Sequence, residues 1–238
     1  IFKSKKIDIL TDVKVKNITK KGKLVKVNLQ NSIIDCDKVL IAVGVKANSS
    51  NIGLNTNKVN TNNGWIETDE FMQTNIKNIY AIGDVAGAPW LAHVASAEAI
   101  TAVEKICGKN PNPMSYDNIP GCTYCHPEVA SVGYTEETAK QKGYKVKVGK
   151  FPLRALGKAV AIGQTDGFVK IIFDEKYGEL LGCHIIGANA TDLISEISLA
   201  RDLETTYNEI INSVHPHPTL SEAIMEATAD ALGEAIHI

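Results

Sequence analysis

Two prolines within four residues divide this chain into two parts. Pro111 and Pro113 stand in the sequence Asn-Pro-Asn-Pro, directly after an alanine-rich stretch, 91–107, that predicts a helix. A proline inside a helix removes a backbone hydrogen bond, and it disfavours helical conformation at the residue before it. The helix therefore has to end before this segment, and we expect a second domain to begin near Tyr116.

Before this boundary, short runs of β-branched residues are separated by turn residues. They predict a small antiparallel meander with no helix between its strands. Residues 48–64, rich in Asn, Ser, Thr and Gly, favour a loop, and an apolar run at 79–82 predicts a buried strand that leads into Gly83-Asp84. The strands expected in the meander are 7–10, 13–18, 24–29 and 38–43.

Beyond the boundary, the patterns of strands and helices predict an α+β domain of ordinary size. A composition of 44% hydrophobic and 22% charged residues suits such a globular fold. The expected strands are 129–133, 145–151, 167–173 and 180–186, and the expected helices are 136–142, 192–203 and 220–235.

Charge, hydropathy and cysteine content exclude several classes of protein. The formal net charge is −2, so no overall basic field favours nucleic acid as a partner. The longest apolar run, 39–45, is far shorter than the roughly 20 residues of a membrane-spanning helix. Five scattered cysteines do not form a secreted disulfide framework, so we expect a cytoplasmic protein. The first residues lack Met and an apolar leader, and we expect them to come from inside a longer chain.

The first candidate site is the segment 79–87 with the start of the following helix. A carboxylate at the end of a buried strand, here Asp84, can accept hydrogen bonds from a ligand hydroxyl. Free N–H groups at a helix start can bind an electron-rich ring edge, so the segment suits a bulky polyhydroxylated cofactor. The alternative is that Asp84 only caps a turn and that His93 lies on a helix surface.

The second candidate site is the sequence His-Pro-His-Pro-Thr-Leu-Ser-Glu at 215–222. Prolines on both sides restrict the backbone of His217, and a carboxylate five residues later, Glu222, can orient its imidazole as an acid/base dyad. The alternative is that Thr219 and Glu222 form a capping box at a helix start and that His217 is a surface loop residue.

A pair of cysteines, Cys122 and Cys125, has the spacing of a redox pair or of half a zinc site. No second Cys-x-x-Cys follows, and on a strand the two sulfurs would point to opposite faces. We interpret both as structural cysteines and expect no metal site.

The segment 79–87 closely resembles the second flavin-binding motif of the pyridine nucleotide-disulfide oxidoreductases, in which an apolar strand ends in Gly-Asp. This resemblance implies that Asp84 holds a ribityl hydroxyl of FAD. It also implies that the helix N-terminus lies near the pyrimidine edge of the isoalloxazine ring, where reduction builds negative charge. The residues expected beside the ring are Trp90, Leu91, Ala92 and His93.

The segment 215–222 resembles the signature His-x-His-Pro-Thr-x-x-Glu of the dihydrolipoamide dehydrogenases within that family. The resemblance implies that His217 is the catalytic acid/base and that Glu222 orients it. It further implies oxidation of dihydrolipoamide on a lipoyl-bearing E2 partner of 2-oxo acid dehydrogenase complexes, with electrons passing through a redox disulfide and FAD to NAD⁺. Glutathione reductases carry a single His-Pro-Thr, so the paired histidines favour the lipoamide enzymes.

Further matches extend the resemblance over essentially the whole chain. Segments 124–133, 148–152 and 181–187 are similar to the interface domain through which the family forms homodimers. The run Ile-Ala-Val-Gly that ends at Gly44 resembles a strand end that the family follows with Arg-Arg-Pro, whereas this chain continues with Val-Lys-Ala-Asn. Gly44 and Val15 are expected at the edge of the NAD site.

The resemblance implies an α+β fold in which remnants of the α/β FAD- and NAD(P)-binding domains precede a complete α+β interface domain. The expected parts are 1–45 of the NAD domain, 46–113 of the FAD domain and 114–238 of the interface domain. The chain holds no Gly-x-Gly-x-x-Gly and no Cys-x4-Cys, so we expect it to be inactive alone and to retain neither cofactor. The alternatives are a glutathione reductase-like flavoprotein and a non-catalytic dimerisation fragment.

Overall fold

A computed structural model describes residues 1–237 of the chain. Its first three strands, β1 (Val15–Lys21), β2 (Leu24–Leu29) and β3 (Ile33–Cys36), form an antiparallel sheet in the order β1-β2-β3. Gly22 lies in the turn between β1 and β2 at φ +64°, a conformation that glycine adopts without steric cost. The meander predicted for this region is confirmed for its second and third strands, and β3 was not predicted.

Two predicted strands of this region, 7–10 and 38–43, are not formed among the described residues. In the second segment, Leu40 is 89% exposed to solvent and Val43 is 92% exposed. A strand exists through its hydrogen bonds to a neighbouring strand, and a β-branched sequence does not supply that neighbour. These two predictions were wrong because no paired strand lies beside either segment in the described part of the chain.

The middle of the chain carries few regular elements. They are the hairpin of β4 (Thr61–Asn62) and β5 (Trp65–Ile66), a 3-10 helix at Gly83–Ala86, and α1 (Ala92–Ile106). The predicted strand at 79–82 forms only an isolated bridge between Tyr80 and Gln73, so that prediction was wrong as a regular strand. The predicted helix is confirmed, and it ends before Gly108, which adopts φ +73°.

The second half of the chain is built on a five-stranded antiparallel sheet with the order β6-β7-β10-β9-β8. Four of its strands were predicted from sequence, and β6 was not. Its strands are β6 (Gly121–Thr123), β7 (Glu128–Gly133), β8 (Val146–Pro152), β9 (Phe168–Asp174) and β10 (Leu180–Gly187).

Helices cover both faces of this sheet. On one face α4 packs against β7 and β10, and α6 packs against β8 and β9, which encloses the main apolar core. On the other face Ala139 of α2 packs against Ile172 and Leu181. This arrangement is the predicted α+β domain, although α3 and α5 were not predicted and α6 is shorter than expected. The helices are α2 (Glu136–Gln141), α3 (Gly157–Ala161), α4 (Ala190–Asp202), α5 (Tyr207–Asn212) and α6 (Glu222–Asp230).

The backbone of β8 lies directly against α6 at Gly149. A Cβ added at Gly149 would overlap the carbonyl oxygen of Ala227 and would lie 2.6 Å from the backbone nitrogen of Ala231. Beside this contact, the backbone N–H of Lys150 donates to Oδ2 of Asp230 at 2.7 Å. Helix α6 is therefore fixed against the backbone of the sheet as well as against its side chains.

We expect Gly149→Ala to destabilise the chain by about 1–3 kcal/mol, because the added methyl group overpacks the contact between β8 and α6. Gly157→Ala is the matched control, since a Cβ at Gly157 meets no atom within 4 Å. The control is expected to be neutral or slightly stabilising. Urea unfolding of both variants measures the difference, and equal midpoints would contradict the tight contact at Gly149.

Candidate functional site

The first candidate site is the turn that begins at Gly83. Ile82 is extended, and Gly83 turns the chain at φ +70° into the 3-10 helix Gly83–Ala86. A Cβ at Gly83 would lie 3.3 Å from Cβ of Ala95 on α1, so the turn packs closely on that helix. The side chain of Asp84, the next residue, is exposed and lies open to a ligand.

A buried carboxylate that the sequence reasoning missed holds this turn. Glu98, on α1, is 4% exposed. Its Oε2 accepts the backbone N–H of Gly83 at 2.6 Å, and its Oε1 accepts the hydroxyl of Tyr116 at 2.8 Å. Burial, and then the hydrogen bond to Glu98, raise the pKa of Tyr116, so this hydroxyl remains a donor. A charged residue on the inner face of an otherwise alanine-rich helix was the available sequence signal.

The start of α1 offers unpaired backbone donors. Its N-cap residue, Leu91, forms no side-chain hydrogen bond to the helix, and the first turn holds no acidic residue. The ring of Trp90 stacks on Trp65 with centroids 5.2 Å apart, a contact that was not predicted. His93 turns toward the second half of the chain, where its Nε2 lies 3.0 Å from the carbonyl oxygen of Pro120.

These residues fit a flavin. Asp84 presents an exposed carboxylate to ligand hydroxyls, and the uncapped start of α1 presents N–H groups and a positive dipole end to an electron-rich ring edge. An acidic residue in the first turn of α1 would have opposed negative charge on that edge. The donor set therefore agrees with the cofactor expected from the sequence.

The second candidate site is the pair His217 and Glu222. Nδ1 of His217 lies 2.8 Å from Oε1 of Glu222, and the His217 side chain is 76% exposed whereas that of Glu222 is 16% exposed. A carboxylate accepts hydrogen bonds, so we assign the Nδ1 proton to this bond. Nε2 is left on the solvent side, where it can take up a proton.

A second hydrogen bond fixes the carboxylate of Glu222. Its Oε2 accepts the backbone N–H of Thr219 at 2.7 Å. Burial alone would raise the pKa of Glu222, but the hydrogen bonds from Thr219 and His217 outweigh burial and lower that pKa. Glu222 is therefore ionised, and it holds both the loop and the imidazole.

The capping box at this position is only half formed, because Glu222 accepts the backbone N–H of Thr219 but no side chain caps the helix. Helix α6 begins at Glu222 itself, and its N-cap residue, Ser221, forms no side-chain cap. The hydroxyl of Thr219 bonds instead to the carbonyl oxygen of Pro216 and to Oγ of Ser221. Glu222 is thus the first residue of the helix rather than the third, and its side chain reaches backwards into the histidine loop.

The other histidine of the motif, His215, anchors the same loop. Its side chain is 6% exposed, with Nε2 2.9 Å from Oε1 of Glu196 on α4 and Nδ1 3.0 Å from the carbonyl oxygen of Ser213. The hydrogen bond to Glu196 raises the pKa of His215, although burial opposes it. Glu196 was not singled out from sequence, because its partner lies 19 residues away.

The two residues predicted at an NAD site lie in the N-terminal part. Val15 begins β1 and is 50% exposed, and Gly44 adopts φ +115° after an extended segment. The positive φ agrees with a glycine at that position. The structure itself does not place either residue against His217 or Asp84.

The cysteines form neither a disulfide nor a metal site in the part of the chain that is described. Cys122 lies in β6, and Cys125 follows it in a loop, where its Sγ lies 3.1 Å from the carbonyl oxygen of Pro127. Burial raises the pKa of Cys122, which disfavours a reactive thiolate there. Residues 1–237 hold no group of three His, Cys, Asp or Glu side chains placed to bind a metal ion. The described helices are all too short or too polar to cross a membrane.

Comparison with known sequences identifies two regions of one family. Residues 1–99 match "Pyridine nucleotide-disulphide oxidoreductase", and residues 119–228 match "Pyridine nucleotide-disulphide oxidoreductase, dimerisation domain". A similar curated protein is the dihydrolipoyl dehydrogenase of Zymomonas mobilis, which is 47% identical; the match covers 99% of this chain and 52% of that protein. The dihydrolipoyl dehydrogenase of Bacillus subtilis is 45% identical, and the match covers 100% of this chain and 51% of that protein. The chain spans about half the length of the curated relatives it matches.

Solved structures share the fold. LpdA from Mycobacterium tuberculosis superposes with a TM-score of 0.87 at 24% identity, covering 95% of this chain and 50% of that one. The HOCl-induced flavoprotein disulfide reductase RclA from Escherichia coli gives a TM-score of 0.88 at 23% identity, covering 95% and 53%. The sequence matches over both halves confirm the resemblance noted from the flavin and histidine motifs, and the chain belongs to the pyridine nucleotide-disulphide oxidoreductase family.

Proposed function

We propose that this chain is part of a dihydrolipoyl dehydrogenase, which oxidises dihydrolipoamide to lipoamide and passes the electrons through a redox disulfide and FAD to NAD⁺. The observation that carries the proposal is the dyad of His217 and Glu222, with a 2.8 Å bond and an imidazole open to solvent. The identity of 41–50% to curated dihydrolipoyl dehydrogenases over this chain supports it.

In the proposed reaction, the dyad of His217 and Glu222 transfers protons. Oxidation of dihydrolipoamide forms one S–S bond and releases two electrons and two protons, and NAD⁺ accepts both electrons with one proton as hydride. In our proposal, Nε2 of His217 takes a thiol proton, because only a thiolate attacks a disulfide effectively. Glu222, ionised and fixed by the N–H of Thr219, stabilises the imidazolium that forms and keeps the ring in orientation.

The flavin site is assigned to the turn at Gly83 and the start of α1. Asp84 would bind a ribityl hydroxyl, and the segment Trp90, Leu91, Ala92 and His93 would lie beside the ring system. FAD, when bound, supplies the electron transfer between the disulfide and the nicotinamide. The chain's own contribution is to orient the cofactor and to present the positive end of α1 to it. Gly44 and Val15 are assigned to the edge of the NAD site.

The proposed assembly is a homodimer formed through residues 114–238, preceded by parts of an NAD domain, 1–45, and of an FAD domain, 46–113. The match of residues 119–228 to a dimerisation domain supports this division. In such a dimer His217 would act on the redox disulfide of the other subunit. The substrate would be dihydrolipoamide on a lipoyl-bearing E2 protein of a 2-oxo acid dehydrogenase complex, and we place the protein in the cytoplasm.

We expect His217→Gln in the full-length protein to lower kcat for dihydrolipoamide oxidation by about 10²- to 10⁴-fold, because the proton acceptor is lost. Glu137→Gln is the control, since Glu137 is exposed and lies outside both sites. NADH formation measured at saturating dihydrolipoamide gives the comparison. Full activity of His217→Gln, or activity of the wild type with glutathione disulfide and not with lipoamide, would refute the proposal.

We expect Glu222→Gln to remove a pH-dependent part of the stability of this chain. The folded pKa of Glu222 lies below its ordinary value of 4.5, so the native state binds fewer protons than the unfolded state. Its contribution is therefore complete above about pH 5 and is lost as the pH falls through the lowered pKa. The difference between wild type and variant in urea midpoint should be largest near pH 7 and should shrink toward about pH 3.

The control for this measurement is Glu137→Gln, an exposed carboxylate in the first turn of α2. Its difference from wild type is expected to be small at every pH. A difference for Glu222→Gln that stayed constant between neutral and acid pH would show that the carboxylate does not act through its charge.

A further inference from the structure

Glu98 is a buried charge that the proposed reaction does not use. A carboxylate removed from water is costly unless both of its oxygens are hydrogen-bonded. Here each oxygen has one short bond, to Gly83 N–H at 2.6 Å and to the Tyr116 hydroxyl at 2.8 Å. Both partners are neutral donors from segments distant in sequence, so Glu98 joins the turn at Gly83 to the segment that enters the second half of the chain.

The bond to Gly83 constrains the peptide that precedes Asp84 by one residue. The N–H of Gly83 belongs to the peptide between Ile82 and Gly83, and fixing it fixes the plane of that peptide. Ala95, one turn before Glu98 on the same helix, lies 3.3 Å from where a Cβ of Gly83 would lie. The peptide is thus held against α1 by one hydrogen bond and one close packing contact, directly before Asp84.

The bond to Tyr116 holds Glu98 in turn. The Tyr116 hydroxyl also lies 3.9 Å from Sδ of Met72, which is 1% exposed, and the backbone oxygen of Met72 accepts the N–H of Ala81 at 3.1 Å. Tyr116 therefore contacts two residues, Glu98 and Met72, that each accept a backbone N–H from the stretch 81–83. Tyr116 lies shortly after Pro111 and Pro113, which restrict the backbone conformation of the segment that leads to it.

We propose that Glu98 is a positioning residue, held by Tyr116, that sets the geometry of the turn from which Asp84 binds the flavin. The role toward flavin rests on the proposed function, whereas the control of the turn does not. Through Tyr116 and Glu98, the segment that leads into the dimerisation domain is linked to the turn at Gly83 that would bind the cofactor.

The first test measures amide hydrogen exchange at Gly83 by NMR on the ¹⁵N-labelled chain. Glu98→Met removes the acceptor at similar volume and is expected to speed exchange at Gly83 by about tenfold or more, since a bond to a charged group is lost. Glu98→Gln keeps an oxygen acceptor and should restore most of the protection. Tyr116→Phe should give a smaller increase.

Glu104→Gln is the matched control, because Glu104 is a partly exposed carboxylate on the same helix. The exchange of the buried α1 residues Thr101 and Ala102, whose N–H groups lie in the helix interior, separates a local effect from a general loss of stability. The proposal is overturned if Gly83 exchanges at the same rate in Glu98→Met and in wild type. It is also overturned if Thr101 and Ala102 accelerate as much as Gly83.

The second test measures FAD binding to the full-length protein by flavin fluorescence. Glu98→Met is expected to weaken FAD binding about tenfold, Glu98→Gln much less and Glu104→Gln not at all. Faster exchange at Gly83 with unchanged FAD affinity would overturn the role toward flavin and leave the control of the turn in place. A wild-type protein that binds no FAD would overturn the proposed function itself, independently of the exchange result at Gly83.

Discussion

The contact of α6 with the backbone of β8 determines the position of the histidine site. At Gly149 the helix approaches the strand so closely that no side chain fits between them, and the Asp230 carboxylate accepts the next backbone N–H. Glu222 begins this helix, so its carboxylate has a fixed origin relative to the sheet. The carboxylate accepts hydrogen bonds from the N–H of Thr219 and the ring of His217. The packed domain therefore fixes the geometry of the loop that carries His217.

The two candidate sites use the same physical arrangement. In each, a carboxylate on a packed helix is shielded from water, accepts two hydrogen bonds and orients an exposed group that has the chemistry. Glu222 orients the imidazole of His217, and Glu98 orients the peptide that precedes Asp84. A fixed acceptor behind a solvent-exposed group lets that group meet a ligand without losing its direction, which is what preorganisation requires.

The sequence predicted the elements whose information is local. Helix α1 and four strands of the large sheet were found because alternation, alanine content and prolines are read within a few residues. The predictions that failed or were missed depend on residues far apart in sequence. The segment 38–43 has no partner strand, and the two hydrogen bonds of Glu98 join residues 15 and 18 positions away. The same limit applies to the capping box, because only the structure shows that α6 starts at Glu222 and that one of the two bonds of the box is formed.

The exposed stretch around Leu40 and Val43 affects how such a chain behaves in concentrated solution. An extended apolar segment with unpaired backbone groups is a template on which another chain can add a strand, the first step of aggregation. The nine lysines among residues 1–30 give the N-terminal part of the chain a net positive charge, which opposes the approach of a second copy. This repulsion is electrostatic, so high ionic strength weakens it and favours strand addition at the exposed segment.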